Sequence, residues 1–285
     1  MIHSTLNCRG RLLDLSRPQV MGILNVTPDS FFDGGRFDDP AHALRQAEKM
    51  LREGAAILDV GGASSRPGAA EVSAEEEARR VVPLVAALSA EFPEAILSVD
   101  TWRAPIARAA VEAGAGIVND ISAGRLDENL LPAVAELAVP YILMHMQGTP
   151  TTMQQAPSYQ DVVTEVLDFF LEKIGRLRAL GVRDIVLDPG FGFGKTVEHN
   201  YQLLNNLSTF SAVTGLPVLA GLSRKSMICK VLKVNPEHAL NGTTALHMVA
   251  LQQGVRILRA HDVREAQEVI RLWEMVESAR QSAGF

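Results

Sequence analysis

The chain has 285 residues, 47% hydrophobic and 21% charged, a balance that suits a packed globular core and argues against a disordered chain. A formal net charge of −6 supplies no overall basic field to neutralise a phosphate backbone, which argues against nucleic acid as the main partner. The two cysteines, Cys8 and Cys229, are far apart and in no metal-ligand spacing, so a reducing cytoplasmic setting is expected rather than a disulfide framework or zinc.

In residues 1–19, MIHSTLNCRGRLLDLSRPQ, charges interrupt the apolar residues, so no secretory signal is expected. The same stretch suits a short hairpin plugging the bottom of a barrel. From Val20 onward short apolar runs recur: VMGILN (20–25), AAILDVGG (55–62), AILSVDT (95–101), GIVNDIS (116–122), PYILMHM (140–146), DIVLDPG (184–190), PVLAGLS (217–223) and VRILRAH (255–261). Each reads as a strand buried on both faces. Between them lie segments with helical spacing, opened by Asp39-Pro40, by Ser73 and by Ser158. No run reaches the roughly 18 apolar residues that a membrane-spanning helix needs, so no membrane partner is expected.

Eight such strands alternate with about eight helices, and no Pro/Gly/Ser linker divides the chain. This predicts an α/β protein, a single (β/α)8 TIM barrel over residues 1–285 with its core over about 18–280. An open doubly wound sheet is the runner-up, because periodicity does not show closure.

The segment DPGFGFGKT (188–196) ends in the letters of a phosphate-binding loop. Such a loop needs four residues between its first glycine and the GK pair, whereas Gly190 and Gly194 are separated by three. The three alternate glycines are better explained as a tight backbone turn beside a flat ligand, with Lys195 and Thr196 expected on the solvent side where the next helix starts.

Polar residues collect where the apolar runs end: Asn25, Asp59, Ser64 to Arg66, Asp100, Asn119, His145, Asp188, Ser223 to Ser226, Arg259 and His261. Any one of them could be a cap or turn residue. As a set they fall on the face of a barrel where active sites are built. Asp100, Asn119 and Asp188 form an acceptor-rich half suited to a flat heterocycle with several N–H donors, purine-like or pterin-like. The cationic half is Arg66, Lys225, Arg259 and His261, with hydroxyls from Ser65 and Ser226, and it suits a diphosphate and a carboxylate. The loop NVTPDSFFDGG (25–35) has the length of a lid.

These motifs, in the order MGILNVTPDSF, DVGGASSRPGA, SVDT, NDIS, LMHMQGTP, LDPGFGFGK, SRKSMI and RAHDV, resemble the dihydropteroate synthase family from Val20 to about Val263. The resemblance implies a transferase of folate biosynthesis on a (β/α)8 barrel. It joins 7,8-dihydropterin-6-ylmethyl diphosphate to p-aminobenzoate, giving 7,8-dihydropteroate and pyrophosphate. It also implies catalytic roles for Asp100, Lys225, Arg259 and His261, and a pterin pocket of Asp100, Asn119, Met144, Asp188, Lys225 and Arg259, the last stacking on the ring. Pyrophosphate would meet Asn25, Ser65, Arg66, Arg259 and His261. The p-aminobenzoate pocket would be framed by Phe31, Arg66, Pro67, Phe193, Lys225 and Ser226. The implied cofactor is Mg2+, near Asn25 and Asp33; implied partners are the two substrates, sulfonamides as inhibitors, and a second copy in a homodimer.

The second loop departs from the family's usual GGESTRPG in carrying Ala63 and Ser65, and Cys229 and Ala260 replace a common glycine and valine. These changes leave the charged groups in place. Two other readings compete: a pterin-binding corrinoid methyltransferase domain, which needs no SRKS or SSRP, and a catalytically inert barrel kept for binding. Loss of turnover on an intact fold is the expectation for Arg259→Ala.

Overall fold

The computed structural model describes residues 4–26, 40–62 and 72–282. Of the residues singled out above, Phe31, Asp33, Asp39 and Ala63 to Pro67 lie outside these segments.

The chain opens with an antiparallel hairpin, β1 (Thr5–Cys8) and β2 (Arg11–Asp14), turned by Arg9 and Gly10 at φ 55° and 89°. Two residues with positive φ suit the right-handed twist of a two-residue hairpin turn. Eight parallel strands follow: β3 (Gln19–Asn25), β4 (Ile57–Gly61), β5 (Ile96–Asp100), β6 (Ile117–Asp120), β7 (Tyr141–Met144), β8 (Ile185–Asp188), β9 (Leu219–Ala220) and β10 (Ile257–Ala260). Their order is β8-β7-β6-β5-β4-β3-β10-β9, and a parallel bridge between Leu187 and Val218 joins the two ends. The sheet therefore closes, and the open-sheet alternative falls. The seventh strand is shorter than its apolar run, because only Leu219 and Ala220 pair with β10 before the chain turns away at Gly221.

Among the described residues ten α-helices surround the barrel, two more than the simple alternation predicts. The additions come from α6 (Val197–Asn205) with α7 (Leu207–Thr214), and from α8 (Ser226–Leu232) with α9 (Leu240–Gln252). The helix α2 (Ala74–Glu91) starts at Ser73 as expected: its hydroxyl accepts from Glu76 N at 3.2 Å, and Val81, Leu84, Val85 and Leu88 form the buried stripe. The start expected at Ser158 moves to Asp161. There the carboxylate accepts from Thr164 N at 2.9 Å and Glu165 reaches back to Gln160 N at 2.6 Å, so α5 (Val162–Ala179) has a stronger cap three residues later.

The hairpin plugs the barrel. Leu6, Cys8, Leu13 and Leu15 pack against Met21, Ile57, Ile117, Ile142, Val186, Leu219 and Ile257, one inward residue from nearly every strand. Burial, with Asp184 nearby, pushes the Cys8 thiol up to about 12, so this cysteine is a core residue and not a nucleophile. Side chains in a strand alternate faces. The next inward residue, two positions toward the C-terminal end of each strand, is Asp59 above Ile57, Asn119 above Ile117, Met144 above Ile142, Asp188 above Val186 and Arg259 above Ile257. An apolar floor thus carries a polar layer directly above it.

Candidate active site

At the centre of that layer is Arg259. Its Nε donates to Asp59 Oδ2 at 2.6 Å, and one terminal nitrogen reaches Asp59 Oδ2 at 2.6 Å and Asp100 Oδ2 at 2.8 Å. Asn119 Nδ2 donates to the same Asp59 oxygen at 3.0 Å. Asp59 is fully buried, and its other oxygen, Oδ1, has no hydrogen-bond partner. The strand-end pattern includes Asp59 but gives it no role; the structure makes it the anchor of both Arg259 and Asn119. Its signal in the sequence was two-residue spacing above Ile57, the spacing shared by Asn119 and Asp188.

The electrostatics follow from the crowding. Burial raises Asp100 to about 7; Arg259 opposes this, and the carboxylates of Asp59, Glu77 and Asp120 add to it. For Arg259 burial disfavours the cation, but Asp59 and Asp100 outweigh it, so the guanidinium is held above its ordinary value. Asp188 is raised by burial against the pull of Lys225. Burial lowers Lys225 to about 8, opposed by Asp188. A Cβ at Gly221 would lie 3.9 Å from Asp188 Oδ2 and 4.0 Å from Lys225 Nζ, so the bare glycine leaves this pair facing the barrel mouth.

Lys225 occupies the N-cap position of α8, and Ser226 is its first residue. The Lys225 ammonium donates to Phe191 O and lies 4.7 Å from the centroid of the Phe193 ring. Phe193 packs with Trp102 against the buried cluster of Ile121, Met144, Met146 and Met153, so Met144 is a core residue beside the Phe193 ring. His261 follows β10, with its Nδ1 and backbone N 3.0 and 3.2 Å from Ser223 Oγ. The neighbouring Arg224 is instead committed to Asp262 through two hydrogen bonds of 2.9 and 2.7 Å.

Asn25 ends β3 beside Gly61, where a Cβ would sit 3.1 Å from Asn25 Oδ1 and 3.7 Å from Asp100 Oδ2. The amide oxygen and the carboxylate therefore border one space. Among the described residues no three His, Cys, Asp or Glu side chains form a metal cluster.

In the loop 189–196 the glycines behave as read: Gly190, Gly192 and Gly194 have φ of 67°, 83° and 65°. A Cβ on Gly190 would be 1.9 Å from His145 O. Thr196 caps α6, its hydroxyl accepting from His199 N at 3.1 Å. Lys195 is not on the solvent side. It is 4% exposed, turned inward because the left-handed glycines fold the loop back over the end of β7.

The site thus brings together Asn25, Asp100, Asn119, Met144, Asp188, Phe193, Lys225 and Arg259, with Asp59 in the same layer as Asn119, Asp188 and Arg259; Ser226 stands at the start of α8 and His261 just past β10. The chain matches a family of pterin-binding enzymes over residues 21–261. It is 48% identical over 282 residues to dihydropteroate synthase of Escherichia coli K12, covering 98% of this chain and 99% of that one. Among solved structures it resembles the Yersinia pestis dihydropteroate synthase in a sulfonamide complex, at TM-score 0.91 and 48% identity over 96% of this chain and 99% of that one. It also resembles the Xanthomonas albilineans enzyme with 4-aminobenzoic acid, at TM-score 0.90 and 45% identity over 96% and 98% of the two chains. The barrel, its polar layer and these matches agree: the chain belongs to the pterin-binding enzymes and, among them, to the dihydropteroate synthases.

Proposed function

We infer that the chain condenses 7,8-dihydropterin-6-ylmethyl diphosphate with p-aminobenzoate, giving 7,8-dihydropteroate and pyrophosphate. One observation carries the residue roles: acceptors (Asp100, Asn119, Asp188) and cations (Lys225, Arg259) converge in one barrel mouth while Asp59 holds Arg259 and Asn119 within their layer. The carboxylates accept from the amino-amide edge of the pterin, and the Asn119 amide completes the pairing. Met144 forms the apolar wall beside the ring, and the guanidinium of Arg259 covers its face.

In the reaction the bond between the pterin methylene carbon and the diphosphate oxygen breaks early, and its electron pair leaves with pyrophosphate. The arylamine nitrogen then attacks the methylene cation and loses a proton. The protein mainly stabilises the leaving group, through Arg66, Arg259, His261 and the hydroxyl of Ser65. Asp100, poised near neutrality, stabilises the cationic ring as a carboxylate. Phe31, Pro67 and Phe193 frame the arylamine, with its carboxylate at Lys225 and Ser226.

The residues present suit Mg2+ as the cofactor: Asn25 offers an amide oxygen, Asp33 a carboxylate and the substrate its diphosphate oxygens. A hard cation that keeps several waters needs no more protein ligands than these. When bound it would neutralise charge on the departing pyrophosphate.

Residues 1–285 act as one unit in this reading. Exposed Leu272, Met275 and Val276 on α10 (Val263–Ser282), with Val231 and Leu232 on α8, support a homodimer. Sulfonamides compete with p-aminobenzoate, and the enzyme works in the cytoplasm; among the described residues no helix is long and apolar enough to cross a membrane. The deciding experiment is pyrophosphate release from the pterin diphosphate with and without p-aminobenzoate. Release should depend on the arylamine. Methyl transfer to a corrinoid without arylamine condensation would assign the chain to the competing pterin-binding class, and binding without either reaction would leave an inert barrel.

A further inference from the structure

The buried Lys195 has no part in the chemistry above, yet its surroundings are built for it. Its Nζ lies 2.9 Å from His145 Nδ1, 3.1 Å from Gly190 O and 3.0 Å from Phe193 O. Burial holds Lys195 well below its ordinary value, opposed by Asp188, and in its charged form each of its three donors has an acceptor here. His145 is available as an acceptor because burial, with Lys195 and Arg125 nearby, lowers it to about 2 and keeps the imidazole neutral.

The rest of the loop is held in the same way. The carbonyl of Phe191 accepts from Lys225, that of Gly192 from Gln154 Nε2 at 2.6 Å, and that of Gly194 from the Tyr159 hydroxyl at 2.8 Å. Every carbonyl from Gly190 to Gly194 is thus bonded to a side chain. On the donor side, Gly190 N is tied to Asp188 Oδ1 and Gly192 N to Asn200 Oδ1, both at 2.7 Å. A glycine-rich loop left to itself is the most adaptable kind of backbone. This one is locked, with Lys195 as the central bolt joining β7 to the turn that carries Phe193.

We propose that Lys195 is a positioning residue for p-aminobenzoate: by clamping Gly190 and Phe193 to the end of β7 it fixes the Phe193 wall before substrate arrives. The inference rests on the p-aminobenzoate reading of Phe193. Lys195 touches no reacting atom; its effect runs through the ring of Phe193 and, through Gly190, the carboxylate of Asp188.

The test is Lys195→Met, which keeps an unbranched stem one atom shorter and removes its donors, read by amide hydrogen exchange and by steady-state kinetics. Exchange should quicken over residues 190–195 and not in the barrel strands. The KM for p-aminobenzoate should rise about tenfold or more while kcat changes far less, the size expected when a positioning group is loosened by a fraction of an ångström. Should Lys195→Met not fold, Gln154→Ala with Tyr159→Phe loosens the same loop from its outer side, and a smaller rise in the same KM is expected. Unchanged exchange in a folded variant overturns the clamp. Quickened exchange with an unchanged KM overturns the positioning role. If the parent chain makes no dihydropteroate, the functional reading has failed, and exchange still decides the clamp.

Discussion

Replacing Asp59 with Asn probes a residue to which the strand-end pattern gave no role. Arg259 and Asn119 both donate to Oδ2, while Oδ1 has no partner. An asparagine can keep its carbonyl oxygen at the Oδ2 position and put its NH2 where Oδ1 was, so shape is retained and charge is lost. The two contacts from Arg259 then change from ion-paired to ordinary hydrogen bonds, and a buried NH2 gains no partner. A buried pair broken on one side costs about 3–5 kcal/mol, but Asp100 remains 2.8 Å from Arg259, so the cation is not stranded. A loss of about 2–3 kcal/mol is the result, roughly 5 °C or more in Tm for a chain of this size. Asp59 also helps to hold Asp100 up near 7, behind burial. In Asp59→Asn the Asp100 carboxyl should titrate lower, and the acid limb of kcat/KM for the pterin diphosphate should move to lower pH, since that ratio reports the free enzyme. Urea unfolding and pH–rate profiles of parent and variant are the assay. A variant as stable as the parent, or an acid limb that stays put or moves up, refutes the network as described.

Arg259→Ala should abolish turnover, but the expectation of an undisturbed fold is revised: the cation neutralises the buried Asp59 and the partly buried Asp100, and its loss should cost about 3–5 kcal/mol. Near-normal steady-state rates would sink the assignment of Arg259. Gly190→Ala places a Cβ 1.9 Å from a backbone carbonyl, whereas at Gly192 the nearest atom is 3.6 Å away on the Lys225 side chain. Gly192→Ala should cost only the roughly 1–2 kcal/mol of a left-handed alanine, and Gly190→Ala distinctly more; thermal melts with equal losses would contradict the loop geometry. Asp100→Asn tests linkage. The folded protein retains to about pH 7 a proton that the unfolded chain releases near 3.9. Stability tied to that proton is full below about pH 4 and lost progressively as pH rises to about 7, so the variant should gain on the parent between about pH 4 and pH 7. Parallel stability curves would count against the raised Asp100.

Local pattern is what the chain states openly. Runs such as AILSVDT and GIVNDIS carry their own burial, and Ser73 marks its helix start. The ring of strand-end polar residues, with Asp100, Asn119, Asp188 and Arg259 in it, is legible because a period of two or of 3.6 is a property of neighbouring residues. Closure is not such a property: it depends on Leu187 meeting Val218 across the barrel. Nor is charge pairing, since Asp59 and Arg259 are 200 positions apart and meet only because β4 and β10 both flank β3. Lys195 shows the same limit. Its letters suit an exposed residue at a helix start, and only the fold supplies the imidazole and the two carbonyls that satisfy its buried Nζ. The sequence by itself determined the strands and the polar residues at their ends. Tertiary structure decided which charge neutralises which, because electrostatic partners are chosen by distance in space, and space is settled only once the barrel has closed.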